Sequence, residues 1–343
     1  MRVSVIVPVR NESASIREIL AGLAYQDISP AEYEILVIDG RSDDGTAAIV
    51  RDVQRDIPNL VLLENPKRLA SAGRNVGVQH ARGDYVVIVD GHCQVREPRL
   101  LSRVLEAFES SGADCLGRPQ PLKADRPTAF QRAVAAARSS WLGHNPDSHI
   151  YSDRAGFVSA DNVAVAYRRQ VFDRVGLFDE SFDACEDVEF NTRVRRAGLT
   201  CYFTPAIAVA YQPRATLTGL MYQMMRYGRG RARLARKSPA TITGPSLLPP
   251  LWLIGLATAS IVSLFSPALA MVFAATVAAY LAVILVESAR VSWMQSHVSA
   301  WRLPLVFAAI HAGFGWGYLR ETLAGLSTRP IRLGRWIATA LRK

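Results

Sequence analysis

The chain has 343 residues, long for one domain and suited to two units, and its formal net charge is +10. Such charge suits nucleic acid, but no recognised nucleic-acid-binding module accompanies it, so nucleic acid is not an expected partner. The four cysteines, Cys93, Cys115, Cys185 and Cys201, form no C-x-x-C pair, which argues against a zinc ribbon or a disulfide framework and suits a reducing compartment.

The amino terminus, Met1 to Pro8, is too short in apolar residues for a signal peptide and runs straight into folded pattern. Val3 to Val7 reads as a first strand ended by Pro8, and Arg10-Asn11-Glu12-Ser13 is a polar turn. Ile16, Ile19, Leu20 and Leu23 then fall on one helical face. Strand, polar turn, helix is the opening of a mononucleotide-binding unit.

Glu34 to Ile38 is a second strand, closed by Asp39-Gly40-Arg41-Ser42-Asp43-Asp44-Gly45-Thr46, with a helix starting at about Thr46. A turn so rich in Asp, Ser and Gly has donors and acceptors suited to a base and ribose. Leu60 to Leu63 is a third strand, and Ala70 to Gly77 opens the next helix. That places Arg74 near a helix amino terminus, where a diphosphate can bind.

The fourth strand, Tyr85 to Val89, is an unbroken apolar or aromatic run that stops at Asp90-Gly91-His92. It reads as a strand buried on both faces. Its carboxyl end is where open α/β sheets bind ligands, and carboxylate and imidazole are both good ligands for a divalent metal. Strands alternating with helices, with polar residues at their carboxyl ends, give an α/β doubly wound sheet. Singly, each polar cluster reads more simply as a turn or cap. Jointly they fall at one edge of one sheet.

Arg99 to Ser111 is a returning helix, Leu116 to Pro119 leads into a less regular region, and Pro127 to Trp141 looks helical. Gly143 to Asp147 is loop, and His144 and His149 read as loop residues. A strand runs from Ser159 to Tyr167. Cys185-Glu186-Asp187 then opens a helix with Phe190 and Val194, ended by Ala197-Gly198. The paired carboxylates Glu186 and Asp187 are either a capping arrangement or the source of a general base.

From Ser238 to Val286 there is no Asp, Glu, Lys or Arg. Leu217, Leu220, Met221, Met224 and Met225 recur at helical spacing before it, followed by Arg226, Arg229, Arg231, Arg233, Arg236 and Lys237. This fits a helix in the membrane interface or one packed on the catalytic domain, with equal weight. Ser246 to Ser266 and Ala268 to Val286 are each long enough to cross a bilayer, and Leu303 to Leu319 is a marginal third span. Two crossings keep both basic ends, including Arg320, Arg329, Arg332, Arg335, Arg342 and Lys343, in the cytoplasm. The expected layout is a catalytic domain over 1–215, a basic interfacial helix or linker over 216–240, two or three membrane helices over 241–320 and a basic tail over 321–343. The expected location is the inner (cytoplasmic) membrane, multi-pass, with the catalytic domain facing the cytoplasm.

In its order of motifs, roughly over residues 1–235, the chain resembles the family 2 glycosyltransferases of the GT-A fold, in particular membrane-attached bacterial enzymes of exopolysaccharide assembly. The motifs are Val5 to Glu12, Val37 to Thr46, Gly73 to Gly77, Val89 to His92 and Glu186 to Phe190. Gln223-x-x-Arg226-Tyr227 resembles the family's Q-x-x-R-W/Y element near the acceptor side. The resemblance implies a UDP- or GDP-sugar donor, a divalent metal (Mg or Mn), membrane lipids as partners and inversion at the anomeric carbon. It implies that Pro8, Arg10, Glu12, Asp39, Ser42, Arg74 and Asp90 bind the donor, with Asp90 on the metal–diphosphate side and His92 a second ligand or only a neighbour of the metal. Asp187 matches the family's catalytic base, with Glu186 beside it. Two positions depart from the usual pattern: Asp39-Gly40 replaces a pair of aspartates, and Asp90-Gly91-His92 replaces D-x-D.

The expected activity is therefore transfer of a sugar to a hydroxyl of a lipid-linked saccharide in exopolysaccharide or cell-envelope assembly. A polyprenyl-phosphate acceptor and a non-catalytic membrane-bound nucleotide-sugar sensor are the alternatives. The membrane portion is too small for the polymer channel of a processive synthase.

Overall fold

Residues 1–144, 148–161 and 163–327 are described by the computed structural model. Asn145, Pro146 and Asp147 of the expected loop, Asn162 of the expected strand, and Arg329, Arg332, Arg335, Arg342 and Lys343 of the basic tail lie outside the described residues.

The strands are β1 (Val3–Val9), β2 (Tyr33–Asp39), β3 (Leu60–Glu64), β4 (Tyr85–Ile88), β5 (Cys93–Gln94), β6 (Cys115–Gly117), β7 (Gly156–Val158), β8 (Ala164–Arg168), β9 (Cys201–Phe203) and β10 (Ala210–Tyr211). The helices are α1 (Ile16–Ala24), α2 (Thr46–Val53), α3 (Ala70–His80), α4 (Leu100–Ser111), α5 (Ala129–Ser139), α6 (Gln170–Val175), α7 (Glu186–Arg196), α8 (Leu217–Lys237), α9 (Gly244–Val262), α10 (Pro267–Met294) and α11 (Leu303–Ser327). Two compact units result: Met1–Thr216 with Ser288–Leu303, and Leu217–Glu287 with Pro304–Lys343.

In the first unit the main sheet has the order β3-β2-β1-β4-β8-β6-β9-β7. β1 pairs in parallel with β2 and β4, and β2 with β3. Alternation along β1 feeds two cores. Val3, Val5, Val7 and Val9 pack with α1 and α4, whereas Ile6 joins Leu36, Ile38, Val86, Ile88 and Phe190 of α7. Each such side chain stabilises by about 1.5–3 kcal/mol on burial.

β1 runs two residues past its expected end and contains Pro8. The Ile6 carbonyl accepts from Val89 N, so Pro8, two residues on, faces the β4 side beyond the last β1–β4 pair, Ile6–Ile88. No ladder donor is lost there. The sheet is mixed rather than wholly parallel: β8 is antiparallel to both β4 and β6, and β7 to β9. β8 also starts late. Ser159 and Asp161 bond to each other, and Val163 N and Ala164 N turn back to the Ala160 carbonyl. Side-chain and backbone turn bonds thus displace the strand that an apolar run implies. The Ala197-Gly198 stop of α7 is observed, with Gly198 at φ +70°. All four cysteines are free thiols.

α3 lies close on β1. A Cβ at Gly77 would meet Ile6 Cγ2 at 2.5 Å, so only glycine allows the approach that sets the helix over the strand ends.

In the second unit α8 and α11 also meet through glycines. A Cβ on Gly228 would fall 2.0 Å from the Phe314 carbonyl oxygen, and one on Gly317 would fall 2.1 Å from that of Met225. The buried carboxylate of Glu321 takes hydrogen bonds from Arg233 and Arg236 and sits 3.8 Å from Arg229, tying the basic face of α8 to α11. Gly244–Val262 and Pro267–Met294 are long and apolar enough to cross a membrane. α11, the marginal third span, does not meet that test among the described residues.

Gly77→Ala should lower stability by about 1–3 kcal/mol through overpacking, despite alanine's better helix propensity. Thermal denaturation checks it, and an unchanged or raised Tm would contradict the close-approach account.

Candidate functional site

The carboxyl ends of β1, β2 and β4 adjoin, and each is followed by a polar turn. After β1 the chain takes a left-handed conformation at Asn11 (φ +57°), after β2 at Arg41 (φ +55°), before α3 at Arg68 (φ +59°) and before α7 at Cys185 (φ +61°). These are the non-glycine residues at positive φ among those described. Such backbone costs of order 1–3 kcal/mol for most side chains and gathers where function constrains the chain.

The first two turns are laced together. Asp39 accepts from Ser42 N at 3.1 Å and from Ser42 Oγ at 2.6 Å. Asn11 N donates to Ser42 Oγ at 2.9 Å, and Asp43 N donates to Asn11 Oδ1 at 3.1 Å. Asp44 accepts from Ser13 N and Thr46 Oγ1, whose oxygen accepts from Glu12 N. Arg10 is exposed at the end of β1, and Pro8 is half-buried within it. The residues expected on the nucleotide side therefore share one rim.

Arg74 on α3 is 6% exposed and reaches in two directions. Its Nη2 donates to Asp90 Oδ1 at 3.0 Å, and its Nη1 is 3.3 Å from Glu186 Oε1. Burial works against its charge, but Glu186, then Asp90 and Asp187, outweigh it and hold the guanidinium above its ordinary pKa. Burial pushes the Asp90 carboxyl up, yet Arg74, followed by His92 and Arg118, holds it below the usual range. Glu186 goes the other way, since burial raises its carboxyl more than Arg74 lowers it.

α3 also fixes the segment before α7. Asn75 Nδ2 donates to the Phe178 carbonyl at 2.9 Å and Asn75 Oδ1 accepts from Phe178 N at 2.8 Å. Ser71 Oγ donates to the Phe182 carbonyl at 2.9 Å. Arg193 of α7 pairs with Glu189 and donates to the Leu177 carbonyl at 2.7 Å, closing the segment from the other end. Asp187 stands in the first turn of α7, where its Oδ1 accepts from Val188 N at 2.8 Å. Acidic groups in that turn complement the helix dipole.

His92 is partly exposed, with Nδ1 3.3 Å from Glu12 Oε1 and its ring edge-on to Tyr211 at 4.5 Å. Tyr211 is held there because β10 pairs with β5, joining Tyr211 to Cys93. Among the described residues no cluster of three His, Cys, Asp or Glu side chains suits a metal.

Arg118 escaped the sequence reading. It follows β6, is 2% exposed, donates to the Ile88 carbonyl at 3.1 Å and has a buried Nε without a hydrogen-bond partner. Burial lowers its pKa, while Cys93 and Asp90 oppose the shift. A lone arginine after the short run Cys115–Gly117 was the only signal. His144 bonds the Ser140 carbonyl and His149 lies beside Phe203. Gln223, Arg226 and Tyr227 are on α8 in the second unit, with Gln223 Nε2 3.3 Å from Tyr227 Oη.

Comparison with known proteins now adds to the geometry. The family model described as "Glycosyl transferase family 2" matches residues 4–176. The chain is 31% identical over 231 residues to the succinoglycan biosynthesis protein ExoA of Rhizobium meliloti, covering 67% of this chain and 68% of that protein. It is 23% identical over 334 residues to a dolichyl N-acetyl-alpha-D-glucosaminyl phosphate 3-beta-D-2,3-diacetamido-2,3-dideoxy-beta-D-glucuronosyltransferase of Methanococcus voltae, covering 95% and 98%. Among solved structures, the mannosyltransferase PcManGT of Pyrobaculum calidifontis, in complex with GDP-Man and Mn2+, aligns with TM-score 0.59 and 19% identity over 92% of this chain and 87% of that one. S. aureus TarS residues 1–349 in complex with UDP-GlcNAc aligns with TM-score 0.51 and 18% identity over 97% and 93%. These structures show the GT-A fold, as the order of motifs implied.

Arg74→Gln should cost about 3–5 kcal/mol, because it strands the buried Glu186. Thermal denaturation should show the loss, and Arg74→Gln with Glu186→Gln should recover part of it. An unchanged Tm in the single variant would contradict a structural role for the pair.

Proposed function

The chain belongs to glycosyl transferase family 2, and on that premise we propose that it moves a sugar from a UDP- or GDP-sugar to a hydroxyl of a lipid-linked saccharide, with inversion, in exopolysaccharide or cell-envelope biosynthesis. The observation that carries the reading is Arg74, a buried cation that joins the Asp90 strand end to the Glu186-Asp187 helix end. ExoA is named for succinoglycan biosynthesis, and the Methanococcus protein for transfer to a dolichyl-linked sugar phosphate. The solved neighbours hold GDP-Man with Mn2+ and UDP-GlcNAc. The two complexes support a nucleotide-sugar donor.

A divalent cation fits the residues. Asp90 and His92 project from one turn, and Gly91 packs so tightly on β1 that a Cβ there would lie 2.7 Å from Val9 Cγ1. Two protein ligands suffice when a substrate diphosphate and water complete the shell. The cation, when bound, neutralises charge developing on the leaving diphosphate. Arg74 and Arg118, both buried, add positive charge beside Asp90, and charge removed from water is worth more than charge at the surface.

Pro8, Arg10, Asp39 and Ser42 form the nucleotide side in this reading, with Glu12 at its boundary with His92. Asp187 takes the proton of the attacking hydroxyl, since a sugar hydroxyl is a poor nucleophile at neutral pH. Glu186 is held on Arg74 and positions the base beside it. Gln223, Arg226 and Tyr227 are assigned to the acceptor. The apolar helices α9 and α10 anchor the enzyme in the cytoplasmic membrane as a hairpin, with the catalytic unit facing the cytoplasm. A polyprenyl phosphate, already an anion, would need no base, so the Glu186-Asp187 pair favours a hydroxyl acceptor.

Membranes carrying the chain should release UDP or GDP from one donor in a screen of UDP- and GDP-sugars, only with Mg2+ or Mn2+ present. Asp187→Asn should cut turnover about 10²–10⁴-fold. Full turnover in Asp187→Asn would favour the polyprenyl-phosphate acceptor, and donor binding without metal-dependent release would favour a sensor.

A further inference from the structure

Glu12 begins at the rim beside β1, yet its carboxylate is directed at the residue that replaces the usual second aspartate. Glu12 Oε1 lies 3.3 Å from His92 Nδ1. Its other oxygen, Oε2, is 3.1 Å from Ser15 Oγ, and that hydroxyl is 2.8 Å from the Gly91 carbonyl. One carboxylate oxygen therefore faces the imidazole, and the other lies beside a hydroxyl whose single proton has the Gly91 carbonyl as its nearer acceptor. The Glu12 side chain and the turn are also in close contact, since a Cβ on Gly91 would approach Glu12 Cγ to 3.2 Å. The Tyr211 ring meets the imidazole edge-on at 88°. His92 is thus gripped by a carboxylate and an aromatic ring.

We propose that Glu12 is a positioning residue for the divalent cation. It holds His92 through Nδ1, so that Nε2 is the nitrogen offered beside the Asp90 carboxylate. The inference rests on the transferase reading and deepens it. Imidazole ligands commonly have their second ring nitrogen fixed by a carboxylate, which sets the tautomer and the ring direction. A glutamate serving only as a solvated rim charge has no need to bring a carboxylate oxygen within 3.3 Å of the imidazole. The resulting donor set is one oxygen and one nitrogen. Mg2+ prefers oxygen ligands throughout, whereas Mn2+ accepts imidazole, so the pair favours Mn2+.

Mn2+ binding to the full chain in detergent, read by electron paramagnetic resonance with UDP or GDP present, tests this without turnover. Glu12→Gln should weaken Mn2+ binding about 10–100-fold, and His92→Ala should do the same. Their combination should add little to either, because one acts through the other. The circular dichroism spectrum of Glu12→Gln should match that of the wild type, which reports that the variant is folded. His92→Asp should shift preference from Mn2+ toward Mg2+. Unchanged Mn2+ affinity in Glu12→Gln or additive losses in the double variant would each overturn the proposal. A wild-type chain that binds UDP or GDP but no Mn2+ sinks this inference and leaves the nucleotide-sugar reading standing. A wild-type chain that binds neither nucleotide sinks both.

Discussion

A single buried guanidinium organises this site. Arg74 is removed from water, and a cation in that position is stable only if carboxylates replace its hydration. Asp90 supplies one from the end of β4 and Glu186 supplies the other from the start of α7. The same demand for neutralisation draws together two segments almost a hundred residues apart in the chain. The reach of Arg74 depends in turn on the height of α3 above the sheet, which Gly77 sets by lying directly on Ile6. Packing, charge and site geometry are in this way one constraint.

Around that centre, the sheet forms a floor and the turns carry the polar side chains. β1, β2 and β4 run in parallel, so their carboxyl ends open on one side, as in other open α/β sheets. Left-handed backbone at Asn11, Arg41, Arg68 and Cys185 marks the turns that must bend sharply to keep side chains at the rim. Asn75 then treats the Phe178 backbone as a strand would, satisfying both its N–H and its carbonyl. The loop ahead of α7 is thereby fixed to the helix that carries Arg74.

Much of this was legible from residue pattern. Continuous apolar runs ending in Asp39 and Asp90 identified buried strands and the rim they share, because burial on both faces leaves a strong signal. Asp187 was legible as the opening of a helix. Strand direction was not, since the apolar run of β8 reads alike either way and only pairing with β4 and β6 reveals it as antiparallel. Arg118 was hidden for a related reason: its significance comes from reaching Ile88, thirty positions away in sequence. The contact between Glu12 and His92 is likewise a product of tertiary folding, whereas the turn that replaces the first half of the expected strand at Ser159 is made by local side-chain and backbone bonds. The apolar character of α9 and α10 was plain from composition, whereas the packing of α11 on α8 through Gly228 and Gly317 exists only in the folded chain.

The most direct measurement is an experimental structure of the full chain with UDP or GDP and Mn2+ bound. The account predicts the diphosphate and cation at the Asp90-Gly91-His92 turn, with Arg74 still bridging Asp90 and Glu186 and with Asp187 open toward the sugar side. A nucleotide seated away from this rim, or an Arg74 turned away from both carboxylates, would contradict it.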